Sequence, residues 1–387
     1  AHLEGTLESS YRVPAIDRAI REVVEAFQPD CVHAQHLLNL STGLFDAARS
    51  VDAPVVFTLH DYWLSCPRDG LRMRADGALC STVDHRVCAE CLSDSPYLVS
   101  PLQRRAARAA GAAGLGSAVH ALHRRLPRLT SAAMRLMRRA SPPPRTGLER
   151  ALDDRVSHLS EIIREADAVL APTRFARDRA VEWGAPAEKV RVVTLGAITG
   201  PTLPRRAGRR TRFGYVGTMA PHKGVHVLLE AVKRLARPGW TLDLVGRPDL
   251  DPEYGARLRA IAHGDSRIRF RGPVPPEAHD TLWPSLDVLV VPSLWWENSP
   301  LAVLEALAAG VPIVASRTGG VPEILPPRAG VLVPPGDAHA LQAALEEVLE
   351  GRILAEPLEA LPLKTARAGA GELAALYSEL TSARRPR

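Results

Sequence analysis

Six short apolar runs punctuate the second half of the chain: RFGYVG (212–217), TLDLVG (241–246), RIRFRG (267–272), DVLVVP (287–292), PIVAS (312–316) and GVLVP (330–334). Helical stretches lie between them. Strands alternating with helices predict a parallel sheet covered on both faces. The first half carries the same signal less regularly. Strands are expected at CVHAQH (31–36), APVVFTLHDYW (53–63), DAVLAPT (167–173) and KVRVVTLG (189–196), with helices at 14–27, 41–49, 147–166 and 175–183. Between the halves, AITGPTLPRRAGRR (197–210) mixes Pro, Gly and Arg without periodicity and reads as a linker. At 387 residues the chain fits two α/β domains, 1–196 and 211–387, the first carrying an insertion over about 64–146. The last helices, near Asp337–Glu350 and Gly371–Leu380, are expected to pack on the second sheet and back toward the first domain.

The chain is 46% hydrophobic, ample for a core, yet no run of 18 or more apolar residues appears to span a membrane. The net charge of +6 is localised. Residues 101–150 hold eleven arginines and one acidic residue, Glu149, a local +10 that leaves the remainder at about −4. Only four of the 49 basic residues are lysines, which makes each lysine the more informative.

The stretch WWENSPLAVLEALAAGVPIVASRTGGVPE (295–323) concentrates the chemistry. A strand runs into a loop bearing Glu297. A helix is expected to follow, with Ser299 as its N-cap and Pro300 at the first position, where the missing N–H costs nothing. Glu305 is the only charge in that otherwise apolar helix, so its carboxylate must be partnered or working. Two carboxylates flanking a helix start, itself a ready anion site, suit a ligand with a phosphate middle and hydroxyl-bearing ends. A nucleotide-sugar is such a ligand. Upstream, GTMAPHKGVHVLLEA (217–231) follows a strand and opens a helix, with Lys223 at the junction where an ammonium can meet a diphosphate. That loop fits neither the Walker pattern nor a dinucleotide fingerprint. The Asp249-Leu250-Asp251 triplet reads as a surface loop, and no catalytic metal is expected.

The Glu-x7-Glu spacing of Glu297 and Glu305, followed by GVPIVASRTGGVPE, closely resembles the retaining glycosyltransferases of family 4, over roughly Asp30 to Leu349. The resemblance implies the GT-B fold of two Rossmann-like domains. It implies a nucleotide-diphosphate-sugar donor, GDP- or UDP-linked, and a sugar or lipid-linked acceptor hydroxyl in glycan, polysaccharide or glycolipid synthesis. Catalytic roles would fall to His60, Glu297 and Lys223. Donor contacts would come from Gly217, Thr218, Lys223, Glu297, Asn298, Ser299, Pro300, Leu301, Glu305 and the Gly319–Gly320 turn, with Glu323 at the edge. Thr218 stands where the family carries an arginine, so another cation is expected to substitute. The family opens with a strand and a Gly-Gly turn that this chain, starting at Ala1, does not show before His33; the first domain is therefore expected to be incomplete. The alternatives are an epimerase or hydrolase of the same fold, or a non-catalytic nucleotide-sugar-binding protein.

Three features remain. His33, His36 and Asn39 follow one strand, and His60–Asp61 another, where ligands bind in open α/β sheets. Cys66, Cys80, Cys88 and Cys91 are spaced C-x13-C-x7-C-x2-C. They suit tetrahedral zinc, with free thiols and disulfides as rivals; the donor argues for the cytoplasm, where disulfides are rare. Cys31, on an apolar strand, is expected in the core. Residues 117–139 mix arginines with Val119, Leu122, Leu126, Leu129, Met134 and Met137, the pattern of a helix lying on the inner, anionic face of a membrane or of a solvated insertion. No nucleic-acid partner is expected.

Overall fold

The computed structural model of the chain describes residues 6–38, 40–74, 76–92, 98, 100–112, 114–115, 118, 121–122, 125–141, 147–197, 211–275, 278–354, 361 and 363–384. The expected linker beyond Ala197, and Asn39, lie outside the described residues.

Two parallel sheets organise them. The first has the order β1-β2-β3-β4: β1 Val32–Ala34, β2 Val55–Thr58, β3 Ala168–Ala171 and β4 Val190–Val192. The second is built from β5 Arg212–Val216, β6 Thr241–Val245, β7 Ile268–Gly272, β8 Val288–Val291, β9 Ile313–Ser316 and β10 Gly330–Val333, in the order β10-β9-β8-β5-β6-β7. Every position of β2, β3, β8 and β9 is buried. That is why these strands read as continuous apolar runs and not as alternating ones. All ten expected strands occur, trimmed at their ends. The run 53–63 is strand only over Val55–Thr58, with the Leu59 N–H still donating to the Leu170 carbonyl at 2.9 Å beyond it.

Helices cover both sheets. In the first domain they are α1 Pro14–Phe27, α2 Gly43–Ser50, α3 His85–Cys91, α4 Pro101–Ala112, α5 Pro127–Ala140, α6 Leu148–Glu165 and α7 Arg174–Glu182. In the second they are α8 Val225–Val232, α9 Pro252–Ala262, α10 His279–Ser285, α11 Leu301–Ala308, α12 Val321–Ile324 and α13 Ala338–Leu349. The last helix, α14 Ala366–Arg384, returns to the first domain. There Leu376 packs against Val56, Ala168 and Leu170, and Glu379 takes a two-pronged ion pair from Arg191 at 2.8 and 2.5 Å. His33 belongs to this seam. Its Nδ1 meets the Tyr377 hydroxyl at 2.5 Å and its Nε2 the Thr58 hydroxyl at 2.7 Å. The sequence placed His33 in a cleft; the structure makes it a strut for α14. Cys31 is half-buried on the same seam rather than fully enclosed.

Among the described residues no helix is long and apolar enough to cross a membrane. The insertion instead exposes leucines. Leu102, Leu115, Leu122, Leu126, Leu129 and Leu136 are 40–68% exposed, on the same 101–140 stretch that holds nine of the arginines.

Candidate active site between the two domains

The loop after β8 is built from its backbone outward. Ser293 donates its hydroxyl to Glu297 Oε1 at 2.6 Å, and the Lys223 ammonium reaches the same oxygen at 2.8 Å. The Lys223 turn is held there by Gly224, whose φ of +69° suits glycine and whose Cβ, were there one, would lie 2.0 Å from the Pro292 carbonyl oxygen. Only 5% of the Glu297 side chain is exposed, against 22% for Lys223. The pair therefore presents its cation, not its carboxylate, to an arriving ligand. Trp295 lies beneath this ammonium at 4.6 Å, with the His222 ring 4.9 Å away on its edge. Burial, with help from the Lys223 charge, pushes His222 down to about 4, so it stays neutral at ordinary pH.

The Gly319–Gly320 turn fixes the other side of Glu297. The Gly320 N–H donates to the Glu297 carbonyl at 2.7 Å. A Cβ on Gly319 would stand 2.0 Å from that same oxygen. The close approach expected of these glycines is thus to the backbone of Glu297. Thr318 adds a hydroxyl bond to the Trp295 carbonyl at 2.8 Å. The helix start differs by one residue from the sequence reading. Pro300, extended at ψ 120°, is the N-cap of α11, Ser299 lies buried before it, and Leu301 opens the helix. Without a capping side chain, the Leu301 and Ala302 N–H groups are left for other partners, while Val303 donates to the Pro300 carbonyl at 3.0 Å.

Glu305 is half-buried and paired with His279 Nδ1 at 3.3 Å. Burial pushes its carboxyl up, and His279 opposes that shift. His279 in turn lines a pocket of about 260 Å³ at the ends of β5 and β6, with Gly217, Thr218, Gly246, Arg247 and Val274. Arg247 is the arginine that lines this pocket with Thr218, and it is held by Asp249 at 3.1 Å. Asp251 caps α9 through the Tyr254 N–H at 3.0 Å. The acidic triplet thus consists of an arginine partner and a helix cap. The sequence named neither His279, Arg247 nor Ser293; Ser293 stands four residues before Glu297, the one local signal available.

Across the junction, the Asn298 side chain donates to the Leu59 carbonyl at 3.2 Å, so His60 stands one residue from where the Glu297 loop touches the first domain. His60 Nε2 meets Gln35 Oε1 at 2.8 Å, and burial followed by the His36 charge lowers its pKa. His36 pairs with Asp61, which raises its own. Tyr62, 1% exposed, has a hydroxyl without a partner and is pushed well above 10 by burial and by Glu297. Glu323 sits at this junction rather than on the pocket. It accepts the Arg174 and Phe175 N–H groups of α7 at 2.8 and 2.6 Å.

The four loop cysteines are free thiols here. Cys88 is driven to about 12 by desolvation and then by the neighbouring Cys66, Cys80 and Cys91. Cys80 Sγ lies 2.9 Å from the Thr82 carbonyl oxygen. Among the described residues no group of three or more His, Cys, Asp or Glu is arranged to hold a metal. Zinc is therefore not shown by this geometry; that reading rests on the spacing and on the nearness of Cys66, Cys80 and Cys91 to Cys88.

Two parallel-sheet α/β domains that meet at the Glu297 loop, one of them carrying the paired cation and the pocket of about 260 Å³, have the architecture of the GT-B class. Two family models match: glycosyl transferases group 1 over residues 210–351 and glycosyltransferase family 4 over residues 4–90. An alpha-D-kanosaminyltransferase of Streptomyces kanamyceticus is 31% identical over 269 residues, 62% of this chain and 68% of that protein. The chain belongs to glycosyltransferase family 4. The amylovoran biosynthesis glycosyltransferase AmsK of Erwinia amylovora is 28% identical over 213 residues, and this match spans only about half of each chain, 52%. In fold the chain is similar to HepE of Anabaena, solved with UDP and glucose. The TM-score is 0.59 at 16% identity, covering 93% of this chain and 81% of that one.

Proposed function

We propose that the chain transfers a sugar from a nucleotide diphosphate to an acceptor hydroxyl, with retention at the anomeric carbon. The observation that carries this reading is the Lys223–Glu297 pair at the domain junction, its ammonium outward, in the same domain as the pocket lined by His279, the partner of Glu305. In this reading the nucleoside fills the pocket and Glu305 holds the ribose. The Leu301 and Ala302 N–H groups of α11 and Lys223 stabilise charge growing on the diphosphate as the glycosidic bond breaks. The acceptor oxygen bonds to the anomeric carbon from the face the diphosphate leaves, and its proton passes to a departing phosphate oxygen. No protein nucleophile is needed. Glu297 orients Lys223, and His60 lines the acceptor side of the reacting centre. A cytoplasmic supply of donor fits this chemistry.

The test is calorimetry with UDP- and GDP-sugars, followed by turnover on sugar and lipid-linked acceptors. One of the two donors should bind with a dissociation constant in the range of about 1 μM to 1 mM and release its diphosphate only when acceptor is present. Diphosphate release without acceptor would make the protein a hydrolase, interconversion of the sugar an epimerase, and binding without turnover a sugar-nucleotide carrier.

The acceptor side of the reading includes an anionic lipid surface. The local +10 and the exposed leucines share one stretch, and Leu129 and Leu136 recur at seven-residue spacing on α5. Basic residues near such a surface contribute about 1 kcal/mol each, and the leucines enter the interface. Co-sedimentation with phosphatidylglycerol vesicles should fall steeply with salt, because exposed charges are screened over about 10 Å at 0.1 M. Leu129→Ser with Leu136→Ser should lower it further and leave nucleotide binding intact. A wild-type chain that ignores these vesicles at low salt would sink this part of the reading.

A further inference from the structure

Consecutive tryptophans precede Glu297, and they face different domains. Trp295 stays within the second domain under Lys223. Trp296, 8% exposed, leaves it and docks in the first. Its ring meets the edges of Phe175 at 5.2 Å and Tyr62 at 5.5 Å. The guanidinium of Arg72 lies 4.9 Å from its centre and that of Arg179 5.8 Å. Arg72 is itself fixed. It is 3% exposed, donates to the Ser81 carbonyl at 2.9 Å, and its own carbonyl accepts the Cys80 N–H at 2.8 Å. A chain of contacts thus runs from the cysteine loop of the first domain, through Arg72 and Trp296, to the residue next to Glu297.

We propose that Trp296 is an interdomain positioning residue, seated by Arg72, which sets Glu297 and its partner Lys223 against the His60 strand end only when the two domains are docked. The groups offered to the diphosphate belong to the second domain alone, whereas the reacting centre needs both. The contact therefore acts on turnover and not on nucleotide affinity. Two guanidiniums beside one buried indole are attracted by its ring electrons, and that attraction strengthens where water is excluded. Trp296 crosses to the first domain beside Glu297, and Asn298 supports the crossing from the other flank. This inference rests on the donor reading above.

The experiment compares Trp296→Ala, Trp296→Phe and Arg72→Gln in the full chain. Trp296→Ala should lower kcat about a hundredfold, the loss expected when a positioning group shifts by on the order of 1 Å. Affinity for the nucleoside diphosphate should stay unchanged. Trp296→Phe, which keeps a ring, should recover most of the rate. A second readout needs no activity. In a double-mutant cycle of denaturant midpoints, the Arg72→Gln, Trp296→Ala double variant should be no less stable than the worse single one. Diphosphate affinity falling in step with kcat would overturn the proposal, as would additive losses in the cycle. A wild-type chain without turnover would defeat the transferase reading instead, and the cycle would still judge the contact.

Discussion

Lys223→Ala should cut affinity for a nucleoside diphosphate far more than affinity for the nucleoside alone. The ammonium is the open half of the pair with Glu297, so the phosphates lose their point charge while the pocket beside His279 and Glu305 is untouched. A charge-assisted contact of this kind contributes about 1.5–3 kcal/mol, roughly ten- to a hundredfold in binding. The same substitution should also destabilise the fold. It strands a carboxylate that is only 5% exposed, and breaking a buried pair from one side costs about 3–5 kcal/mol. Adding Glu297→Gln to Lys223→Ala separates the two effects. The double variant should regain much of the stability, since no charge is left alone, and none of the phosphate affinity. Calorimetric titration and urea unfolding measure both. Equal losses for nucleoside and diphosphate would show that Lys223 serves Glu297 and not the ligand.

Gly319→Ala should be a severely damaging single-methyl change. The residue sits at φ +57°, and the added carbon would fall 2.0 Å from the Glu297 carbonyl oxygen and 2.6 Å from its nitrogen. Neither atom is the end of a flexible side chain, so the Glu297 loop has to move. A displacement on the order of 1 Å at a positioning group costs about a hundredfold in rate. Gly371→Ala is the matched control. That glycine lies in α14 with open space around it, and alanine there should add about 1 kcal/mol through helix propensity. Turnover and thermal unfolding of the two variants give the comparison. A fully active Gly319→Ala chain would mean that the turn does not brace Glu297.

Both results depend on contacts of unequal visibility in the sequence. The sheets were legible because strands buried on both faces cannot hide: VVFT, AVLA, VLVV and IVAS are apolar at nearly every position. Their ends were not, since a polar residue beyond the last ladder bond reads the same inside or outside the strand. Glu297, Glu305 and Lys223 stood out through residue type and spacing. Their partners did not. His279 comes from a different helix than Glu305, and Glu297 and Lys223 are 74 positions apart, so each seemed an independent ligand group until the fold joined them. The partner of His33 was hidden for the same reason. A histidine at a strand end looks like a cleft residue unless the tyrosine 344 positions later is known to cover it. The one-residue error at the start of α11 is a matter of proline's reach. Pro300 fits a first helical position and an extended N-cap equally well by composition, and only its ψ of 120° decides.

The return of α14 has a consequence for how the protein is made. Val56, Ala168 and Leu170 emerge early from the ribosome, and the leucine that covers them, Leu376, emerges long after. Domains generally complete themselves in the order of synthesis. The first domain here instead waits with an apolar sheet face open until the second has been translated and has delivered the closing helix. During that interval the nascent chain offers a sticky surface, and a holding chaperone that recognises exposed apolar strands would meet it there. Release of the holder would then coincide with the moment at which both halves, and the junction between them, become whole.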